Sequence, residues 1–197
     1  IDAAIAYFRL SLQDKDLLSR KSAADYRPMT VSKELSGKYC GDNMYQLLAR
    51  QAISRLSGYF IVNPVLAGKI QTEILSIYDG LIDFYQQQGM TDARLLLMLD
   101  KLNYQGNDIS RGGVNENLRL TDEQVITLLK QWAEEFSASP LCGEVYCQLA
   151  ERYDRMQDYT AKLHAAQTGL EKYPQSPSVN DLKEQVAEVF TPRLVVE

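Results

Sequence analysis

The sequence predicts an all-α fold, with about seven to eight helices stacked as antiparallel pairs in an α-α superhelix. Three observations carry this. Apolar residues recur at three- and four-residue spacing along most of the chain, and alternating runs are scarce before the last few residues. Gly, Pro and short polar stretches punctuate these segments at helix-like intervals. One pattern of aromatic, aliphatic and small residues returns at a fixed period.

Asp2 to Ser19 reads as the first helix, with Ile5, Phe8 and Leu12 on one face. Ala24 to Asn43 contains Pro28, Gly37 and Gly41 and reads as a long surface connection. Asp42 or Asn43 can cap a second helix carrying Met44, Leu47, Leu48, Ala52, Ile53 and Leu56. Pro64 interrupts the stretch from Phe60 to Gly68. A third helix runs from about Lys69 to Gln88 and stops at Gly89. The fourth starts at Thr91 or Asp92 and reaches about Tyr104, and Gln105 to Arg119 reads as a loop. Thr121 and Gln124 form a capping box for the fifth helix, with Leu120 and Val125 as its hydrophobic staple and Asp122 and Glu123 at its positive end. That helix ends near Phe136. Three more follow over about Gly143 to Met156, Tyr159 to Tyr173 and Val179 to Phe190. The expected organisation is N-terminal helices with their connection over 1–68, helical repeats over 69–190, and over 191–197 the start of a following segment, in which Arg193 to Glu197 reads as a strand.

The repeat is the most informative feature. From Gly143, Tyr146, Leu149, Ala150, Tyr153, Tyr159 and Pro174 fit one 34-residue tetratricopeptide window. Tyr78, Leu81, Ile82 and Tyr85 repeat the first four places two periods earlier, and Pro140 and Pro174 stand one period apart. Lys162 and Gly169 occupy places where Ala is usual, which predicts a helix pair packed less tightly. One pair cannot bury its apolar face alone, so pairs stack, and the tyrosines are expected in the core.

Composition narrows the function. Apolar residues make up 45% and charged residues 24%, enough for a core of useful size. A net charge of −5 without a basic cluster disfavours nucleic acid. The longest uncharged stretch, Leu56 to Gly68, falls short of the roughly 20 residues of a membrane span. The chain opens on Ile1 without a basic, apolar leader, which reads as part of something longer.

Residues equipped for chemistry are few. Cys40, Cys142 and Cys147 do not make a disulfide framework and read as buried free thiols. Cys147 and the single histidine, His164, could face each other across a helix pair as thiol and base, but no third orienting group is apparent. Metal-binding spacings are absent, and Gly112-Gly113 follows no strand. No catalytic, cofactor or metal residue is assigned. The candidate site is a protein-binding groove. The first helix of each pair would present Ser76, Asp79, Asp83 and Gln86 in one repeat, and Glu144, Cys147, Glu151 and Asp154 in the other. These acidic or neutral side chains are wrong for clamping an acidic C-terminal tail, which the chain is expected not to bind; if a basic peptide binds there, Glu151→Lys should weaken it.

Three stretches carry a family resemblance. They are Gly41-Asp42-Asn43-Met44-Tyr45-Gln46-Leu47-Leu48-Ala49-Arg50, Leu81-Ile82-Asp83-Phe84-Tyr85 with Asp92-Ala93, and Cys142-Gly143-Glu144-Val145-Tyr146 with Leu149-Ala150-Glu151. With them, and with Thr191-Pro192-Arg193-Leu194-Val195-Val196 as entry into a β-domain, the chain resembles the N-terminal helical region of large bacterial alpha-2-macroglobulin-like proteins. The resemblance implies a periplasmic or cell-envelope parent, commonly a lipoprotein, that traps proteases or defends the envelope, with this region as scaffold or docking module. The family's Cys-x-Glu-Gln thioester motif is absent: after Cys142-Gly143-Glu144, Val145 stands where Gln is required. The leading expectation is thus a non-catalytic scaffold that holds neighbouring domains or a protein partner. The second is an independent tetratricopeptide adaptor for a peptide, and the third an enzyme with cysteine chemistry.

Overall fold

Side-chain caps at Asn43, Asn63, Thr121 and Asp158 start four of the helices in the computed structural model, which describes residues 1–25, 43–59, 63–106 and 118–191. Nine α-helices lie among the described residues, with no strand and one isolated bridge between Ser22 and Asn43. The chain divides into two compact units, Ile1–Arg119 and Leu120–Glu197. The division falls at the end of the expected Gln105 to Arg119 loop, and a helix runs through the expected boundary at 68. The strand expected over Arg193 to Glu197, most of the Ala24 to Asn43 connection, and Cys40 lie outside the described residues.

The first unit holds α1 (Asp2–Ser11), α2 (Lys15–Ser19), a 3-10 turn (Ala23–Asp25), α3 (Met44–Ser57), α4 (Pro64–Gln87) and α5 (Thr91–Gly106). The single first helix expected from sequence is split. Ser11 Oγ donates to the Phe8 carbonyl at 2.8 Å, and Asp14 leaves helical geometry to start α2. Asn43, rather than Asp42, caps α3. Its Oδ1 accepts from the Gln46 amide, and Gln46 Oε1 accepts from the Asn43 amide. Pro64 does not interrupt a helix; it opens one. At the first helical position its missing N–H has no intrahelical partner to lose, and Asn63 Oδ1 accepts from the amides of Val65 and Leu66. In this unit α3 packs on α4 and α4 on α5. Leu56, Ile74, Leu81 and Tyr85 fill the core, and Ala49, Ala52 and Ala93 let helices approach. Lys15 Nζ lies 5.4 and 5.3 Å from the centroids of Tyr45 and Phe84, and Arg9 grips the buried Glu73 carboxylate with two nitrogens.

The second unit holds α6 (Asp122–Glu135), α7 (Cys142–Arg155), α8 (Tyr159–Lys172) and α9 (Val179–Phe190). The capping box at Thr121 is present in both directions. Consecutive helices run antiparallel. Asp122 at the start of α6 meets Arg152 near the end of α7. Tyr146 near the start of α7 stacks on Tyr173 just past α8, their centroids 5.8 Å apart. Lys162 near the start of α8 reaches Glu188 near the end of α9.

One turn occurs in both units at the same place in the repeat. After α4, Gly89 takes φ +67°, the Met90 amide donates to the Tyr85 carbonyl and the Gly89 amide to that of Gln86. After α7, Gln157 takes φ +60°, the Asp158 amide donates to Tyr153 and the Gln157 amide to Asp154. Both are Schellman endings, and the second forces a side chain into left-handed backbone that favours glycine.

The looser packing expected at Lys162 and Gly169 is not found. A Cβ on Gly169 would lie 2.8 Å from Tyr146 Cβ and 3.0 Å from Leu182 Cδ1, so glycine brings α8 against both neighbours. Lys162 is buried at 1% exposure because its stem runs through the packed region to two carboxylates.

Candidate functional site

The expected groove residues fall in both units. In the first, Ser76, Asp79, Asp83 and Gln86 are exposed along one face of α4, and Asp79 pairs with Lys101 of α5. In the second, Glu144, Cys147, Glu151 and Asp154 share one face of α7, turned toward α9. Cys147 does not line an open surface. It is 6% exposed beneath Gln185, whose Nε2 lies 3.4 Å from both the Cys147 carbonyl and Sγ.

The second unit surrounds this face with groups that the local reading of α7 omits. A cleft of about 420 Å³ is lined by Glu151, Asp154 and Arg155 of α7, Lys162 of α8, and Asp181, Glu184, Gln185 and Glu188 of α9. Lys162 Nζ donates to Asp154 and Glu188, each at 2.8 Å. Asp181 and Glu184 make no ion pair with any described residue. Gln185 is 8% exposed, and its Oε1 accepts no hydrogen bond from any described residue. A buried acceptor left in that state costs about 1–3 kcal/mol. Its sequence signal is the period itself: one repeat after Glu144, Cys147, Glu151 and Asp154 stand Ser178, Asp181, Gln185 and Glu188.

The electrostatics are those of crowded acids. Burial raises the Glu144 carboxyl above its ordinary range; hydrogen bonds from Ser178 oppose this, and Asp181 and Glu151 add to it. Burial also raises Glu151, with Arg155 and Arg152 pulling it down and Asp181 pushing it up. Burial, then Glu151, Glu144 and Asp181, push the Cys147 thiol up to about 12.

The thiol and imidazole considered from sequence are not brought together. His164 lines a different cleft, of about 920 Å³, between α6 and α8 over Tyr146, Leu149 and Tyr153. That cleft leaves Tyr146 and Tyr153 half-buried, whereas Tyr78 and Tyr85 are in the core as expected. Cys142 is also a buried free thiol, raised by burial against a hydrogen bond with Tyr173. At pH 8 about one Cys147 in ten thousand would be thiolate. Native protein treated with iodoacetamide at pH 8 should therefore leave Cys147 unmodified by peptide mapping, with full labelling only in denaturant. Labelling of native Cys147 within minutes would contradict this site.

Among the described residues no group of three or more His, Cys, Asp or Glu side chains is placed to hold a metal ion, and no helix is long and apolar enough to cross a membrane. Comparison with family models, curated proteins and solved structures gives no match.

Proposed function

We propose that the chain is a non-catalytic helical-repeat module, its hairpins paired in the tetratricopeptide manner, which holds a protein partner or the neighbouring domains of its own chain. The observation that carries this reading is the division of labour on α7. One side of the helix is spent on packing, through Tyr146 against Tyr173 and Gly169, while the side bearing Glu151 and Asp154 opens on the cleft beside α9. Such a helix is fixed by its neighbours and offers a rigid polar surface, the arrangement that repeat proteins use for docking. The matching turns at Gly89 and Gln157 support the repeat register. The inert Cys147 thiol and its separation from His164 support a role without bond-making.

On the sequence stretches quoted above, and on them alone, the parent is read as an alpha-2-macroglobulin-like envelope protein, with this region as its N-terminal helical part. A free-standing peptide adaptor is the alternative. Coding sequence on either side separates the two: a lipobox upstream and a run of β-domains downstream support the first, and a stop codon directly after Glu197 removes it. Docking itself is tested by presenting the purified 197-residue chain to an array of immobilised peptides of varied charge. A retained subset with saturable binding is expected. Retention of none at tens of micromolar chain would sink the docking reading.

A further inference from the structure

We propose that two copies of the chain associate through the outer face of α1, paired antiparallel about a twofold axis that lays Leu10 of each copy over Ala3 of the other and sets the two Tyr7 rings side by side. The inference concerns the first unit and is independent of the docking reading above.

The distribution of apolar residues around α1 is the first observation. Asp2 and Arg9 are its only charged residues, and both are spent on α4, in pairs with Lys69 and Glu73. Ile5 and Phe8 pack inward on the core. The opposite side carries Ala3, Ala6, Tyr7 and Leu10, whose i, i+3, i+4 and i+7 spacing makes one continuous stripe. All four are exposed, Tyr7 at 66% and Leu10 at 70%. A helix that is apolar on both sides belongs between two layers, and the outer side of α1 is open.

The second observation identifies what covers it. The stripe holds two small and two large residues in an order that is complementary to itself. In an antiparallel pair centred between positions 6 and 7, position 3 faces position 10 and position 10 faces position 3, the relation that a twofold interface requires. Leu10 of each copy fills the space left by Ala3 of the other. Ala6 meets its own copy and lets the axes approach, and Tyr7 meets its own copy as an aromatic pair. Charge agrees with this pairing. The same twofold puts Asp2 of one copy on the edge that carries Arg9 of the other, so unlike charges adjoin along the rim. A parallel pair would set Leu10 against Leu10 and Asp2 against Asp2. Size then sets the strength. A helix of ten residues is about 15 Å long, so the pair buries less than the ~1,200 Å² of a lasting complex, and a dissociation constant on the order of 10–100 µM follows.

The test is sedimentation equilibrium of the full chain from 5 to 200 µM. The mass should rise with concentration from that of the monomer toward double. Leu10→Glu should weaken association at least tenfold. Leu10→Lys should weaken it at least fivefold, and Ala3→Glu added to Leu10→Lys should recover at least threefold, because the new charges face each other only in the antiparallel register. Phe190→Glu, at an exposed apolar residue of the second unit, should leave association within twofold of wild type. Folding of each variant is checked by circular dichroism; if Leu10→Glu fails to fold, exposed Tyr7→Ser replaces it, with at least a threefold loss expected. A chain that stays monomeric at 200 µM overturns the proposal and leaves the stripe to a different protein. Association that survives Leu10→Glu within twofold, or that Phe190→Glu abolishes, overturns it by placing the contact on another face. Absence of recovery in the double variant overturns the antiparallel register.

Discussion

Gly143→Ala is expected to destabilise the second unit by about 2–3 kcal/mol, the upper range for overpacking a filled site. A Cβ at Gly143 would fall far inside van der Waals distance of both Oγ and Cβ of Ser176, and 3.3 Å from Ser178 Oγ. Rotating the Ser176 hydroxyl away does not help, because its Cβ is fixed to the backbone. Ser176 and Ser178 are themselves buried, and their hydroxyls are 2.9 Å apart, so the turn between α8 and α9 has little room to retreat. Ordinarily alanine is the better helix former by up to about 1 kcal/mol, and the clash must outweigh that gain. The single tryptophan, Trp132, lies in α6, so urea unfolding followed by its fluorescence reports this unit. Ser176→Gly added to Gly143→Ala should recover at least half of the loss. Wild-type stability in Gly143→Ala would show that the approach of α7 to this turn is not as close as described.

Local chemistry explains what sequence predicts well here and where it stops. Caps at Asn43 and Thr121 are readable because donor and acceptor stand three residues apart. Pro64 reads as an interruption only if Asn63 is overlooked; the Asn-Pro pair is a helix start. The break after Ser11 is harder to see, since the apolar face of Ile5, Phe8 and Leu12 continues across it. Lys162 looks like a misfit in a small-residue place because its second partner, Glu188, belongs to another helix. The same reason hides half of the cleft. Glu144, Glu151 and Asp154 are legible from the spacing along α7, while Asp181 and Gln185 come beside them only when α9 folds back antiparallel on α8. Their register was nonetheless encoded in the period.

Asp122 illustrates the point with a measurable consequence. Its place in the first turn of α6 is explained by the helix dipole, yet it also accepts from Arg152 Nη1 at 3.0 Å, tying the start of α6 to the last turn of α7. Arg152 is 1% exposed, so its whole stem is packed, while the Asp122 side chain retains 36% of its exposure. Burial lowers the Arg152 pKa and Asp122 raises it in part, and the group remains charged at any accessible pH. Two substitutions separate the stem from the charge. Arg152→Ala empties the packed volume and should destabilise the unit by about 3 kcal/mol. Arg152→Met keeps most of the volume and removes the desolvation penalty together with the ion pair, so a loss of about 1 kcal/mol is expected. Asp122, freed in either variant, can take up water, which keeps the penalty below that of a fully buried orphan charge. Because the guanidinium is shielded, the ranking should persist from 0.05 to 1 M NaCl in urea unfolding followed by Trp132 fluorescence. Equal losses in the two variants would mean that the pairing with Asp122, and not the packed stem, holds α6 to α7.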